Sequence, residues 1–100
     1  MAVTDFYLGD YGINIELDCT QEGVDFDISD ATLELILTKP SGEELSKTPV
    51  VTTPTNVAVY CIEDGVLDED GRWRGKLTAE GVLDTVPYHL TAKFSFLVEE

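Results

Sequence analysis

Residues 87–98 read Pro-Tyr-His-Leu-Thr-Ala-Lys-Phe-Ser-Phe-Leu-Val, and this stretch decides the fold. Tyr88, Leu90, Ala92, Phe94, Phe96 and Val98 fall on one side of an extended chain, while His89, Thr91, Lys93 and Ser95 fall on the other. A period of two held over that length is the pattern of a strand with one buried face.

The same alternation recurs upstream. Ile13, Ile15, Leu17 and Cys19 alternate with Asn14, Glu16 and Asp18. Residues 20–30 read as a turn and a short extended arm that drops Val24, Phe26 and Ile28 onto the core. From Ala31 onward, Leu33, Leu35 and Leu37 oppose Thr32, Glu34 and Thr38, which leaves Ile36 on the polar face, to be covered by a loop or a partner. Leucine and glutamate also favour helix, but this run is short and stops at the turn Lys39-Pro40-Ser41-Gly42, so it is read as a strand. Pro49 and Pro54 restrict Ser46–Thr55 to an edge strand, because proline cannot donate to a ladder. Asn56–Ile62 is apolar on both faces. An acidic connection, residues 63–71, leads into Arg72–Thr78, where Trp73, Gly75 and Leu77 face one way and Arg72, Arg74 and Lys76 the other. Gly81 and Asp84 mark the next turn.

These are six or seven short strands with no helix longer than two turns. Each sheet has one apolar face to bury, so an all-β two-sheet sandwich follows, with an incomplete barrel as the alternative. The predicted core comprises Ile13, Ile15, Leu17, Leu33, Leu35, Leu37, Trp73, Leu77, Leu90, Phe94 and Phe96.

The 100 residues suffice for one domain with one core, and 43% hydrophobic with 26% charged residues is an ordinary globular composition. The charge is not ordinary: 20 acidic against 6 basic side chains give −14. Sequence-independent nucleic-acid binding, which rests on neutralising phosphates, is excluded on that ground, and an anionic membrane surface is disfavoured. The first ten residues carry no basic start followed by an apolar stretch, and no run approaches the roughly 18 apolar residues of a membrane span. The expectation is a soluble protein, cytosolic or carried within a larger particle.

Catalytic chemistry is sparse. The single histidine, His89, lies on an outward strand face, and no glycine-rich phosphate cradle occurs. Cys19, Cys61 and His89 lack zinc-site spacing. Asp68 and Asp70, in Asp68-Glu69-Asp70-Gly71, weakly resemble the start of a calcium loop, but Arg72-Trp73-Arg74 follows where the loop would continue. The reading is therefore a non-enzyme without cofactor. Its one pronounced local feature is a basic stripe, Arg72, Arg74 and Lys76, which Lys93 and His89 extend if the last strand pairs alongside. Either it is neutralised internally, with Glu34 across from Arg74, or it docks an acidic partner. Together with Ile36 it forms the candidate protein-binding surface.

Four turn elements follow one another along the chain: Gly9-Asp10-x-Gly12, then Asp27-Ile28-Ser29-x-Ala31, then Lys39-Pro40-x-Gly42, then Leu67-Asp68-Glu69-x-Gly71-x-Trp73. In this order they resemble the small immunoglobulin-like domain at the front of tailed-phage baseplate upper proteins and related tail accessories. The likeness runs over nearly the whole chain and transfers no catalytic residue. It implies an immunoglobulin-like β-sandwich of 6–7 mostly antiparallel strands, and a virion building block acting on other virion proteins or on copies of itself. Larger baseplate proteins continue into helical or fibre-holding segments, whereas this sequence stops at Glu100, so a tail or neck accessory or a head decoration protein also fits. Under that topology Cys19 and Cys61 end antiparallel neighbours at opposite rims, which predicts two buried thiols and no disulfide. The second reading is a small binding module for a sugar or a host protein, using Phe6, Tyr7, Tyr11 or Tyr88 at a loop rim.

Overall fold

The computed structural model describes residues 5–21, 24–51 and 55–100. Gly23, Pro54 and the side chain of Val24 lie outside the described residues. The strands are β1 (Phe6–Tyr7), β2 (Asn14–Asp18), β3 (Thr20–Gln21), β4 (Val24–Asp25), β5 (Thr32–Thr38), β6 (Glu44–Lys47), β7 (Val50–Val51), β8 (Val57–Cys61), β9 (Gly71–Leu83) and β10 (Val86–Glu99). Among the described residues no helix occurs.

A five-stranded sheet has the order β1-β10-β9-β5-β6 and a three-stranded sheet the order β2-β8-β7, with β3 and β4 forming a separate ribbon. All pairings are antiparallel except that of β1, which runs parallel to the end of β10. The two sheets turn their apolar faces to one core. Ile15, Leu17, Ala58 and Tyr60 come from the smaller sheet, and Leu35, Leu37, Trp73, Leu77, Phe94 and Phe96 from the larger. Phe96 organises the aromatic part, stacking on Trp73 at 5.9 Å and taking the edge of Phe6 at 5.3 Å. Such pairs add roughly 0.5–1.5 kcal/mol each beyond area burial.

The long hairpin β9–β10 departs from the short strands predicted. Gly81 does not turn the chain; β9 continues to Leu83, and Asp84 and Thr85 make the turn, with φ of 50° and 67°. Two central residues at positive φ match the twist of the flanking strands, as a two-residue hairpin requires. At about 3.3 Å per residue these strands run most of the molecule's 46 Å long axis.

Three further expectations are corrected. Ile13 is 42% exposed rather than core, because β2 begins one residue later and the Ile13 carbonyl accepts from the Ile62 amide at the rim. Leu33 and Leu90 are only half-buried; both pair with Ala79 in one cross-sheet row that packs on the core without being closed over. Cys61 is exposed, because its neighbours Tyr60 and Ile62 take the inward positions. Cys19 is buried, and both thiols are free. The Cys19 amide bonds to Asn56 at one end of the β2–β8 ladder, while Cys61 opposes Asn14 at the other.

Candidate functional site

The basic stripe lies on the outer face of the five-stranded sheet. Inward Trp73, Gly75 and Leu77 force Arg72, Arg74 and Lys76 outward by the two-residue period of β9. Pairing with β10 then sets Lys93 directly opposite Lys76 and Ser95 opposite Arg74. On the other flank Ile36 opposes Lys76 and Thr38 opposes Arg74. Four of the six Lys and Arg residues of the chain thus share one face, with half-buried Ile36 beside them. A shallow hollow of about 560 Å³ runs over Arg74, Lys76, Lys93, Ile36, Thr38 and Glu44.

Internal neutralisation fails on register. Glu34 pairs with Thr78, not Arg74, and its carboxylate accepts from the Ser46 hydroxyl at 3.2 Å. Among the described residues the ion pairs belong to Lys39 and Lys47, so no carboxylate comes within 4.0 Å of Arg72, Arg74, Lys76 or Lys93. Like charges directly opposite on adjacent strands destabilise a sheet, so the Lys76–Lys93 juxtaposition costs stability.

The acidic loop behaves differently from a calcium loop. Both Asp68 carboxylate oxygens contact the Lys39 ammonium, at 2.9 and 3.0 Å, and Glu43 takes the same ammonium at 2.7 Å. These hydrogen bonds, to Glu43 and then Asp68, hold the largely buried Lys39 well above the ordinary lysine range. Glu69 accepts from the Ser41 amide and hydroxyl, and its carbonyl accepts from the Trp73 indole at 2.9 Å. Asp68 is thereby committed to a lysine, and Asp70 is exposed; among the described residues no cluster of three or more His, Cys, Asp or Glu could hold a metal.

The sequence separated Lys39-Pro40-x-Gly42 from Leu67-Asp68-Glu69-x-Gly71-x-Trp73, but the fold joins them at one rim. Gly71, at φ 122°, lies so close to Pro40 that an added Cβ would sit 3.0 Å from its ring. Gly9-Asp10-x-Gly12 docks there too: the Gly9 amide bonds to the Leu67 carbonyl, the Gly12 amide to that of Ile62, and the Asp10 carboxylate accepts from the Tyr7 amide. This well-bonded loop exposes Tyr7, Leu8, Tyr11 and Ile13, whereas Phe6 is buried and Tyr88 half-buried. Asp27-Ile28-Ser29-x-Ala31 introduces β5 from its other end. The Asp27 carboxylate accepts from the Ser29 amide, a bond that lowers its pKa, and Ile28 is fully buried. His89, on the exposed side of β10, pairs with Glu80 and is remote in register from Lys93 by two rows. No protein-family model matches this chain, and no curated protein sequence matches it.

Proposed function

We propose that this protein is a non-catalytic structural component of a bacteriophage particle, a tail, baseplate or neck accessory, which docks an acidic neighbouring protein on the outer face of its five-stranded sheet. The observation that carries the docking reading is the set of four cations on that face, unpaired among the described residues in a chain of charge −14. A face that keeps two lysines opposed at a cost in stability is explained by a partner whose carboxylates meet them.

The virion assignment draws on the resemblance of the turn elements to phage baseplate and tail domains. An immunoglobulin-like reading is supported by the strand orders β10-β9-β5-β6 and β2-β8-β7, which correspond to G-F-C-C′ and B-E-D in immunoglobulin lettering. The chain departs from antibody domains in having no inter-sheet disulfide and in carrying its tryptophan on the F-like strand. Fold alone does not set the function, so the test addresses the particle. Particles assembled with the Arg74→Glu/Lys76→Glu protein in place of the wild type should carry at least tenfold fewer copies, while the variant stays folded. Undiminished incorporation refutes the docking face.

A second reading has its own observation. Tyr7 and Tyr11, 59% and 61% exposed, stand on a loop anchored by backbone hydrogen bonds, as a preformed sugar- or protein-binding rim would. Glycan-array binding abolished by Tyr7→Ala/Tyr11→Ala would favour it over the particle reading.

A further inference from the structure

The β10 backbone offers a second surface, on the edge rather than the face of the sheet. Val86 and Leu83 flank the two-residue turn and bond mutually, so Tyr88, Leu90, Ala92 and Phe94 direct their amides and carbonyls toward β9. The residues between them turn theirs the other way. Two bonds fix that parity: the Leu97 amide donates to the Asp5 carboxylate at 2.9 Å, and the Glu99 carbonyl accepts from the Leu8 amide at 2.7 Å. β1 pairs only with Val98 and Glu99, so among the described residues the outward backbone groups of His89, Thr91 and Lys93 have no strand beside them.

The inner side of the same segment is also uncovered. Phe94, Phe96 and Val98 are buried, yet Tyr88, Leu90 and Ala92 on the same face are only half-buried. Two hollows, of about 230 and 420 Å³, lie between this edge and the chain around β3, and Thr20 and Leu90 border both. Phe26, Tyr88 and His89 wall the first, and Asp18, Cys19, Thr91 and Ala92 the second. An exposed edge with a partly apolar trough beneath it is the arrangement used for strand addition, in which the ladder supplies affinity and alternate side chains enter the trough.

We propose that the β10 edge from His89 to Lys93 takes an extended segment of another protein in which apolar and acidic residues alternate. Apolar side chains enter the trough over Leu90, Ala92 and Cys19. The intervening ones fall on the outer face, where an acidic group beside Lys93, with Lys76 beyond it, meets complementary charge, while Glu80 lies beyond His89 at the other end of the segment. A second copy of this chain is a poor occupant. Two β10 edges paired antiparallel would bring together molecules that each carry a charge of −14, whose mutual repulsion opposes the pairing. The acidic half of the specificity rests on the basic face proposed above; strand addition itself rests on the backbone and the trough.

The probe is an acetylated, amidated nonapeptide alternating valine and glutamate, added to the ¹⁵N-labelled full chain. The expected result is a shift of the His89, Thr91 and Lys93 amide signals and at least tenfold slower hydrogen exchange at those amides. The same peptide N-methylated at alternate residues loses ladder donors and should bind at least tenfold more weakly. Thr91→Pro should do the same, because its amide faces away from β9 and proline is tolerated at such edge positions. If that variant fails to fold, the N-methylated peptide on the wild-type chain still decides. Unmoved amides, undiminished binding of the N-methylated peptide, or slow exchange already present in the free protein (the edge covered by its own N-terminus or a second copy) overturns strand addition. Equal affinity for a valine–threonine peptide overturns the acidic preference of the edge, a failure distinct from loss of all binding and from failure of the basic-face reading, which particle incorporation decides.

Discussion

Gly75→Ala tests whether the packing of the β9–β10 hairpin is as close as described. Gly75 pairs with Phe94, and an added Cβ would lie 2.1, 2.4 and 2.6 Å from three atoms of the Phe94 ring. Ordinary contact needs about 3.5–4 Å, so the ring would have to retreat by roughly 1 Å or more. Phe94 is 8% exposed and stacks near Phe96 at 6.2 Å, so a retreat of its ring disturbs the aromatic packing. Overpacking costs about 1–3 kcal/mol, and complete loss of a buried phenylalanine about 3–5 kcal/mol, which bounds the damage. The expected loss is about 3 kcal/mol, or a fall in Tm of about 12–24 °C at about 4–8 °C per kcal/mol. In a Phe94→Ala background the overlap is gone, and alanine should match or exceed glycine in the strand by up to about 1 kcal/mol. Denaturant unfolding of the four proteins should therefore give a coupling energy of about 3–4 kcal/mol. Additivity to within about 0.5 kcal/mol would refute the close approach of ring and backbone.

Thr85→Gly should stabilise the domain by about 0.5–1 kcal/mol, because Thr85 is β-branched at φ 67°, and a loss in thermal melts would count against the turn geometry. Lys76→Glu should leave stability unchanged or raise it by a few tenths of a kcal/mol, since it replaces the Lys76–Lys93 repulsion with attraction; destabilisation above about 1 kcal/mol would show the lysine to be structural. Stability should fall as pH rises through the alkaline range. Burial, reinforced by the Glu63 charge, pushes the Tyr60 phenol up to about 12, so from about pH 10 the unfolded chain releases a proton that the folded one keeps. The raised Lys39 adds stability that is complete below about pH 10.4 and lost as pH climbs through its folded value. Tyr60→Phe should flatten the decline between about pH 10 and 12 in denaturant titrations, and an unchanged slope would refute the burial effect. Trp73→Ala, which removes a fully buried indole bonded to the Glu69 carbonyl, should cost about 3–5 kcal/mol by the same measurement.

The alternation in residues 87–98 and in β5 sufficed to place most inward side chains, because a strand's faces are set by local parity. Pairing partners are not local, and that is where the reading went astray. Glu34 and Arg74 have the right charges and the same outward parity, yet the β5–β9 register sets them two rows apart. Ile13 continues a faultless alternation but lies one residue before the ladder begins. Leu90 has the same parity as Phe96, and only the position of the second sheet leaves it half-covered. The lysine–aspartate contact at the rim joins residues 29 apart in sequence. Its signal lay in two turn elements that looked unrelated. The stripe itself was readable, since Arg72, Arg74 and Lys76 need only parity, whereas its lack of counter-ions depends on register.

The proposed particle role is tested by targeted mass spectrometry of virus particles purified from cultures of the source organism, quantifying the peptide from Leu77 to Lys93. A structural role requires that peptide at a fixed stoichiometric ratio to a tail or head protein in every preparation. Its absence from particles, with the protein abundant in the infected-cell lysate, would overturn that role and favour a host-directed binding module.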